Sequence, residues 1–277
     1  MTKVWTALPL AAASMLAVSA FAEEKDPRTA AAVQDNSFLL EEAYNQEAGV
    51  VQHIQAIVRI RRDWFYTFTQ EWPLGSQAHQ FSYTVPYFWI RNDEGQRTRG
   101  VGPVLLNYRP QVWYESATMP AFTPRMSLIL PTGSRAKGTG EGSYGFQFNA
   151  AFSKIVSDRV TLHANAGLTH LFDVDDRHPI SFNVGGSTIY AVTRDFNLML
   201  EMRGDWTQSV NAERDLEREF TFTISPGARY ALNFPDLSNL QVVMGLATPI
   251  MFTRDTSKPD FGLFFYLSFE HDFLKKK

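Results

Sequence analysis

Along the second half of the chain, apolar and polar side chains alternate at single-residue steps. Ile180, Phe182, Val184, Tyr190 and Val192 are set against Ser181, Asn183, Gly185 and Ser187. Phe196, Leu198, Leu200, Met202 and Trp206 are set against Asn197, Glu201, Arg203 and Asp205, and Phe220, Phe222, Ile224, Tyr230, Leu232 and Phe234 against Thr221, Thr223, Ser225, Arg229 and Asn233. At the end, Phe265, Leu267, Phe269 and Phe273 alternate with Phe264, Tyr266, Ser268, Glu270 and Asp272. Successive side chains of a strand point to opposite faces, so each run predicts a strand with one apolar and one polar face. The same reading predicts twelve strands, at 50–61, 64–73, 80–91, 100–114, 121–131, 143–154, 159–172, 180–192, 195–208, 218–234, 239–253 and 261–273. Ten is the alternative count, because Arg61 to Asp63 is a short connection and Glu115 to Pro120 a long one for their places in the order.

An all-β chain of this pattern closes either as a soluble barrel with apolar residues inside or as a membrane barrel with them outside; periodicity alone does not separate the two. The two chain ends do. Lys3, the apolar run Ala7 to Val18 and the Ala20-Phe21-Ala22 site form a secretory signal peptide over 1–22, in which Pro9 and the short length exclude a spanning helix. Near the other end, Asp260, Gly262, Phe265 and Leu267 fit the spacing of the C-terminal signal of bacterial outer-membrane barrels. Trp64, Trp72, Trp89, Tyr87, Trp206 and Tyr114 near strand ends match interfacial aromatic girdles. The expectation is a transmembrane antiparallel β-barrel in the outer membrane of a Gram-negative cell, spanning 50–273, with both termini periplasmic. The connections after odd strands (Asn92 to Arg99, Thr132 to Gly142, Asp173 to Pro179, Ser209 to Glu217, Arg254 to Asp260) are then extracellular and mostly the longer ones.

Composition narrows the field further. Removing the signal leaves about 255 residues, normal for one large barrel. With no Cys there is no lipoprotein anchor, no disulfide and no thiolate metal site. A net charge of −3, with basic residues clustered only in the tail Leu274–Lys277, makes nucleic acid an unsuitable partner. Mean hydropathy of −0.21 is compatible with a membrane barrel, whose strands are apolar on one face only, and the 22 Phe have a place on such a wall. Residues 23–49 read as a periplasmic leader in which Phe38 to Gln46 predicts a short helix against or plugging the barrel mouth, with a partly ordered leader as the alternative.

Candidate chemistry is sparse. His53, His79, His163, His170, His178 and His271 have no paired ligand spacing. His163 and Asn165 share the inward face of one strand, as a barrel hydrolase would need, but the sequence fixes no Ser beside them. Gly138, Gly140 and Gly142 are followed by a strand rather than a helix, which makes a flexible extracellular loop, and Asp173, Asp175 and Asp176 lack Ca²⁺-loop spacing. No catalytic, cofactor or metal residue is assigned. The lumen candidates are the charges on the polar faces: Arg59, Glu71, Arg109, Arg125, Glu201, Arg203, Asp205, Arg229 and Glu270. They are expected to pair across the interior and partly occlude the pore, because unpaired charges away from water are costly.

Two blocks carry a family resemblance. Pro124-Arg125-Met126-Ser127-Leu128-Ile129-Leu130-Pro131-Thr132-Gly133-Ser134, then Gly145-Phe146-Gln147-Phe148-Asn149 and Asn165-Ala166-Gly167, resemble the outer-membrane transporter family of the phenol-degradation meta-pathway. The leader block Asn36 to Glu47 is similar to that of one branch of such proteins. The resemblance implies a barrel for uptake of small, often aromatic or hydrophobic compounds, and brings no catalytic residues. One departure is that Leu274 and three Lys follow Phe273, where many such barrels end on Phe. The functional expectation is a monomeric passive channel with a small-molecule solute, in contact with outer-membrane lipid, lipopolysaccharide and the insertion machinery. A structural or sensory barrel and a membrane-embedded hydrolase are the alternatives.

Overall fold

The structure is a computed structural model and describes residues 33, 35–91, 95–211, 213–254 and 257–273. The expected signal peptide, the leader before residue 35 apart from Val33, and the basic tail lie outside the described residues.

The strands are β1 (Val50–Ile60), β2 (Asp63–Pro73), β3 (His79–Arg91), β4 (Arg97–Val101), β5 (Leu105–Pro110), β6 (Ala121–Ile129), β7 (Gly145–Ser157), β8 (Val160–Leu171), β9 (Ile180–Ala191), β10 (Phe196–Val210), β11 (Leu216–Phe234), β12 (Leu240–Ala247), β13 (Ile250–Thr253) and β14 (Asp260–Asp272). All pairings are antiparallel, and β1 pairs with β14 from Val50↔Asp272 to Ile60↔Gly262, which closes the sheet. β4 and β5 both pair with β3, and β12 and β13 both pair with β11, so the strands make a twelve-stave barrel. Closure of β1 on β14 joins the two ends of the sheet, the arrangement that hydrocarbon requires of a strand-built wall. The hairpin β1–β2 turns on Arg61 and Arg62, with Arg61 at φ 53°, the left-handed geometry that lets two residues join twisted strands. That turn is why this connection is so short.

Proline interrupts both divided staves. Pro103 and Pro249 have no N–H for the ladder, and the flanking groups repair the wall: Gly102 N–H donates to Pro86 O (2.9 Å), and Gly262 N–H to Pro249 O (2.7 Å). Gly102 is required by contact, since a Cβ there would lie 2.6 Å from the Phe88 ring.

The faces are inside-out relative to a soluble barrel. On β10, Asn197, Met199 and Glu201 are buried toward the lumen while Leu198, Leu200 and Met202 are exposed. On β14, Phe264, Tyr266 and Ser268 are buried, while Phe265 and Leu267 are exposed. An apolar outer wall around a polar interior suits lipid outside.

The expected helix over Phe38–Gln46 is absent. Residues 35–49 form an irregular chain with bends at 38–40 and 43, and its part 35–46 is mostly buried inside the barrel rather than lying at its mouth. Its backbone groups bond to wall side chains, so the intrahelical bonds a helix would supply are not needed. Nor is the glycine-rich connection a free loop. Lys137 O accepts from Thr98 Oγ1 (2.6 Å), Thr139 is buried beside Gly100, and Arg135, in a 3-10 turn, pairs with Asp175 and donates to Val210 O (3.1 Å). Thr98 and Gly100 share the inward face of β4 with their partners Ile90 and Phe88 on β3, so this connection folds over the barrel mouth.

Candidate functional site: a lumen filled by the N-terminal segment

The inward residues of the half nearer the short turns are small or polar: Gln52, Gln80, Asn107, Thr123, Ser153, Asn165, Ser187 and Ser225 are all buried. Segment 35–46 makes a circuit of this wall. Asp35 accepts from Ser268 and Tyr266 of β14, and Ser37 meets Ser187 of β9 (2.9 Å). The carboxylate of Glu201 on β10 accepts the N–H groups of Phe38 (3.2 Å), Leu39 (2.9 Å) and Leu40 (3.3 Å). Asn165 of β8 accepts from Glu41 N–H and donates to Glu41 O, both at 2.8 Å. Ser153 of β7 accepts from Ala43 N–H (2.7 Å), and Thr123 and Gln111 donate to Ala43 O, each at 2.9 Å. Gln80 of β3 accepts from Gln46 N–H (2.7 Å). Gln52 of β1 closes the ring, donating to Asp35 (2.9 Å) and accepting from Gln46 Nε2 (2.6 Å).

Shape reinforces these bonds. The Phe38 ring stacks on Phe264 and lies against Tyr266, both at 5.2 Å, and fills the space over two glycines. A Cβ at Gly245 would lie 2.2 Å from the Phe38 ring, and one at Gly227 3.0 Å from it. Gly185 receives Leu40 in the same way, at 2.7 Å. Beside the segment a cavity of about 50 Å³ remains, lined by Val33, Glu42, Tyr44, His163 and Arg229 among others.

Most of the charges singled out from sequence face this lumen, but they bind the segment more than one another. Arg229 is buried and donates to Asp35 O (2.6 Å) and Asn36 O (2.8 Å). Arg109 donates to Glu42 O and stands 3.9 Å from Glu71. Arg125 pairs with Glu41 (2.7 Å) and also donates to Gln147 (2.8 Å). Arg203 pairs with Asp205 (2.6 Å) on its own strand and reaches Leu39 O (3.4 Å). Glu270 sits in register with Gln52 and Gln241 on the inward face. Arg59 is the correction: it pairs in register with Trp64 and Leu263 on the outer face, with its guanidinium 5.3 Å from the Trp64 ring. The inward set of β1 is Gln52, Ile54, Ala56 and Val58, opposite Glu270, Ser268, Tyr266 and Phe264. A strand whose inner face is itself apolar misleads a rule that sends every charge inward.

Sequence reasoning missed Asp35, the polar amides at 52, 80 and 111, and Glu115. Glu115, on the long connection 111–120, accepts from the Tyr44 hydroxyl, Lys154 Nζ (2.9 Å) and Ile155 N–H (2.8 Å), which explains the length of that connection. The available signal was the density of Gln, Asn and Ser on inward positions, more hydrogen-bonding capacity than neighbouring strands consume.

The hydrolase arrangement is partly assembled. Ser153 Oγ lies 2.6 Å from His163 Nδ1, but the same oxygen holds Ala43 N–H, and Asn165 is engaged by Glu41 and by Asn149 (3.1 Å) rather than orienting His163. The loop carboxylates are engaged as well: Asp175 by Arg135, and Asp176 at 3.8 Å from Arg214.

The other half of the lumen has two unlike arcs. Register places Val58, Ile60, Phe65, Pro86, Phe88, Leu105 and Ile129 on the inner face from β1 through β6. Gln147, Thr169, Asn183, Arg203, Asp205, Thr221 and Thr223 occupy it from β7 to β11. Phe65 and Phe88 meet edge to face at 5.5 Å. A solute there would touch an apolar, partly aromatic wall on one side and hydrogen-bonding groups on the other.

The fold is shared with solved channels. A COG4313 outer membrane channel from Pseudomonas putida F1 superposes with a TM-score of 0.60 at 14% identity, over 86% of this chain and 99% of that one. The NanC porin superposes with a TM-score of 0.52 at 8% identity, over 79% of this chain and 98% of that one. No curated protein matches the chain in sequence. The sequence model of the family described as a MetA-pathway of phenol degradation matches residues 35–247, a stretch that takes in both the lumen-filling segment and most of the wall, and the chain belongs to that family.

Proposed function

We propose that this protein is a monomeric, passive outer-membrane uptake channel for small molecules, held shut at rest by its own residues 35–46. The observation that carries the reading is the mode of attachment: the segment is irregular, and its amides and carbonyls are satisfied one by one by side chains of the wall. Such bonds can be replaced by water when the segment leaves, because a hydrated lumen offers equivalent partners. A structural stave would instead be built into the ladder.

The two-faced half of the lumen supports a solute with an apolar ring and a polar handle, the class to which phenols belong. Family membership points the same way.

The test is liposome swelling and single-channel recording of full-length protein beside a variant lacking 35–46. Low resting flux in the first and high flux of phenol-sized solutes in the second is the expected result. Equal, negligible flux in both, with folding confirmed by heat-modifiable migration, would favour a structural barrel.

A further inference from the structure

The outer wall carries a second cluster that the uptake path does not use. At the long-connection end of β1 to β4, register aligns Arg59, Trp64, Trp89 and Arg99 in one row across four strands, and sets Arg91 opposite Arg97 just beyond it. These side chains face away from the lumen, because the alternate positions Val58, Phe65 and Phe88 face into it. With Arg62, and with Asp63, Ile90 and Thr98 of the inward side reaching it over the rim, they line a groove of about 660 Å³.

The charges there are poorly compensated. Arg91 donates to Gly95 O (3.1 Å), and Arg61 at the hairpin tip is taken by Asp260 (2.6 Å). Among the described residues no carboxylate pairs with Arg59, Arg97 or Arg99: Asp63 borders the same groove from the rim, opposite Ile60, but forms no ion pair with them. Asp93 and Glu94 lie outside the described residues. Like charges directly opposite on neighbouring strands are destabilising, and an anion held between Arg91 and Arg97 would offset that repulsion.

What surrounds the cluster identifies the anion. The next row toward the barrel middle on the same face is Ile57, Tyr66, Tyr87 and Val101, an apolar and aromatic surface for acyl chains. The Trp pair lies at the boundary where amphipathic rings settle in membranes. Cationic forks above an apolar surface match a phosphate attached to a lipid, because guanidinium binds phosphate bidentately and the tails cover the row beneath.

We infer that Arg59, Arg91, Arg97 and Arg99, with Trp64 and Trp89, form a site on the outer face for the phosphorylated headgroup of an outer-leaflet glycolipid such as lipid A. This rests on the outer-membrane reading, with the long connections extracellular.

The experiment uses full-length folded protein in phosphatidylcholine vesicles doped with bisphosphorylated lipid A or with its dephosphorylated form, and measures lipid retained on the extracted barrel by native mass spectrometry. Wild type should prefer the phosphorylated lipid by at least about tenfold, R97Q/R99Q should lose that preference, and R194Q, at the opposite end of the barrel, should keep it. Equal retention of both lipids by wild type overturns the inference without needing any variant. So does complete displacement by millimolar inorganic phosphate, which would make the groove a free-anion site. A barrel that lacks heat-modifiable migration or is absent from the outer-membrane fraction would defeat the underlying reading instead, a result the lipid preference does not depend on.

Discussion

The two halves of the lumen treat polar groups in opposite ways. Toward the short turns, the buried Gln, Ser, Asn, Glu and Arg of the wall take their partners from segment 35–46, a piece of chain outside the sheet. Toward the long connections, Arg203 and Asp205 pair within one strand and the opposite arc is apolar. The first half is complementary to a peptide and the second to a small amphipathic molecule. Under the proposed function, the half that holds the segment sets occlusion and the half with two unlike arcs sets selectivity, so the two properties rest on different residues.

The largest effect should come from the shape of the first half. In Gly245→Ala the new methyl would occupy the Phe38 ring position, 2.2 Å from one of its atoms, with Phe264 and Tyr266 stacked behind. Overpacking of this kind costs about 1–3 kcal/mol, and here expulsion of Phe38 relieves it without disturbing the ladder. Resting conductance should rise by roughly tenfold or more, the equivalent of about 1.4 kcal/mol. Gly186→Ala, whose new methyl would have its nearest neighbour 3.8 Å away, should leave conductance unchanged. An unaltered Gly245→Ala channel would mean that the segment is not the barrier.

Glu201→Ala is expected to follow. It leaves the N–H groups of Phe38, Leu39 and Leu40 without their acceptor in a site with almost no solvent access. A buried unsatisfied amide costs about 1–3 kcal/mol, partly recovered where water enters. Amide exchange of residues 38–40 should accelerate by about tenfold or more, while wall amides in β10 keep their protection. Uniform loss of protection would assign Glu201 to barrel stability instead.

The contrast between the halves also explains what the sequence could reveal. Strand alternation is a local property, so all twelve staves were legible; the fourth, expected over 100–114, runs as Arg97–Val101 and Leu105–Pro110, and both divided staves break where Pro103 and Pro249 stop the ladder. The segment was legible as a feature but not as a structure: Phe38, Leu39, Leu40, Ala43 and Tyr44 have near-helical spacing, yet their environment is set by residues more than a hundred positions away, such as Glu201 and Asn165. Arg59 fails for the complementary reason. Charge marks the inward face only where the outer face meets hydrocarbon, and at the rim of a membrane barrel the outer face meets headgroups.

In the second half the expected effect is on selectivity rather than on flux. Arg203→Ala removes the cation that neutralises Asp205 while leaving that carboxylate on the inner face. Once the segment is displaced, for instance in the Gly245→Ala background, reversal potentials in a salt gradient should shift toward cation preference. Leu200→Ala, on the exposed outer face of the same strand, should leave them unchanged. Equal behaviour of the two variants would reduce the Arg203–Asp205 pair to a brace of the wall.

The smallest effect should be a pH dependence of the stopper, and its sign follows from Asp35. Burial pushes the Asp35 carboxyl above the ordinary range, against the opposing influence of the Arg229 guanidinium and of hydrogen bonds from Ser268, Tyr266 and the Asn36 amide. When the segment leaves the lumen, Asp35 is hydrated and returns to the usual aspartate value near 4. The seated segment therefore binds a proton more tightly than the released one. This contribution to seating is fully present below the released value and is lost as pH rises through the seated one. Acidification from neutral pH should lower the open probability, and alkalinisation should not restore closure. Other carboxylates, Glu71 and Glu201 among them, face the same lumen, so the diagnostic quantity is the difference between wild type and Asp35→Asn. The amide variant keeps the Arg229 bonds to the carbonyls of residues 35 and 36 but has no proton to exchange, and its open probability should vary less between pH 8 and pH 5. Identical pH profiles in the two proteins would remove Asp35 from the balance and leave the stopper governed by shape and backbone pairing alone.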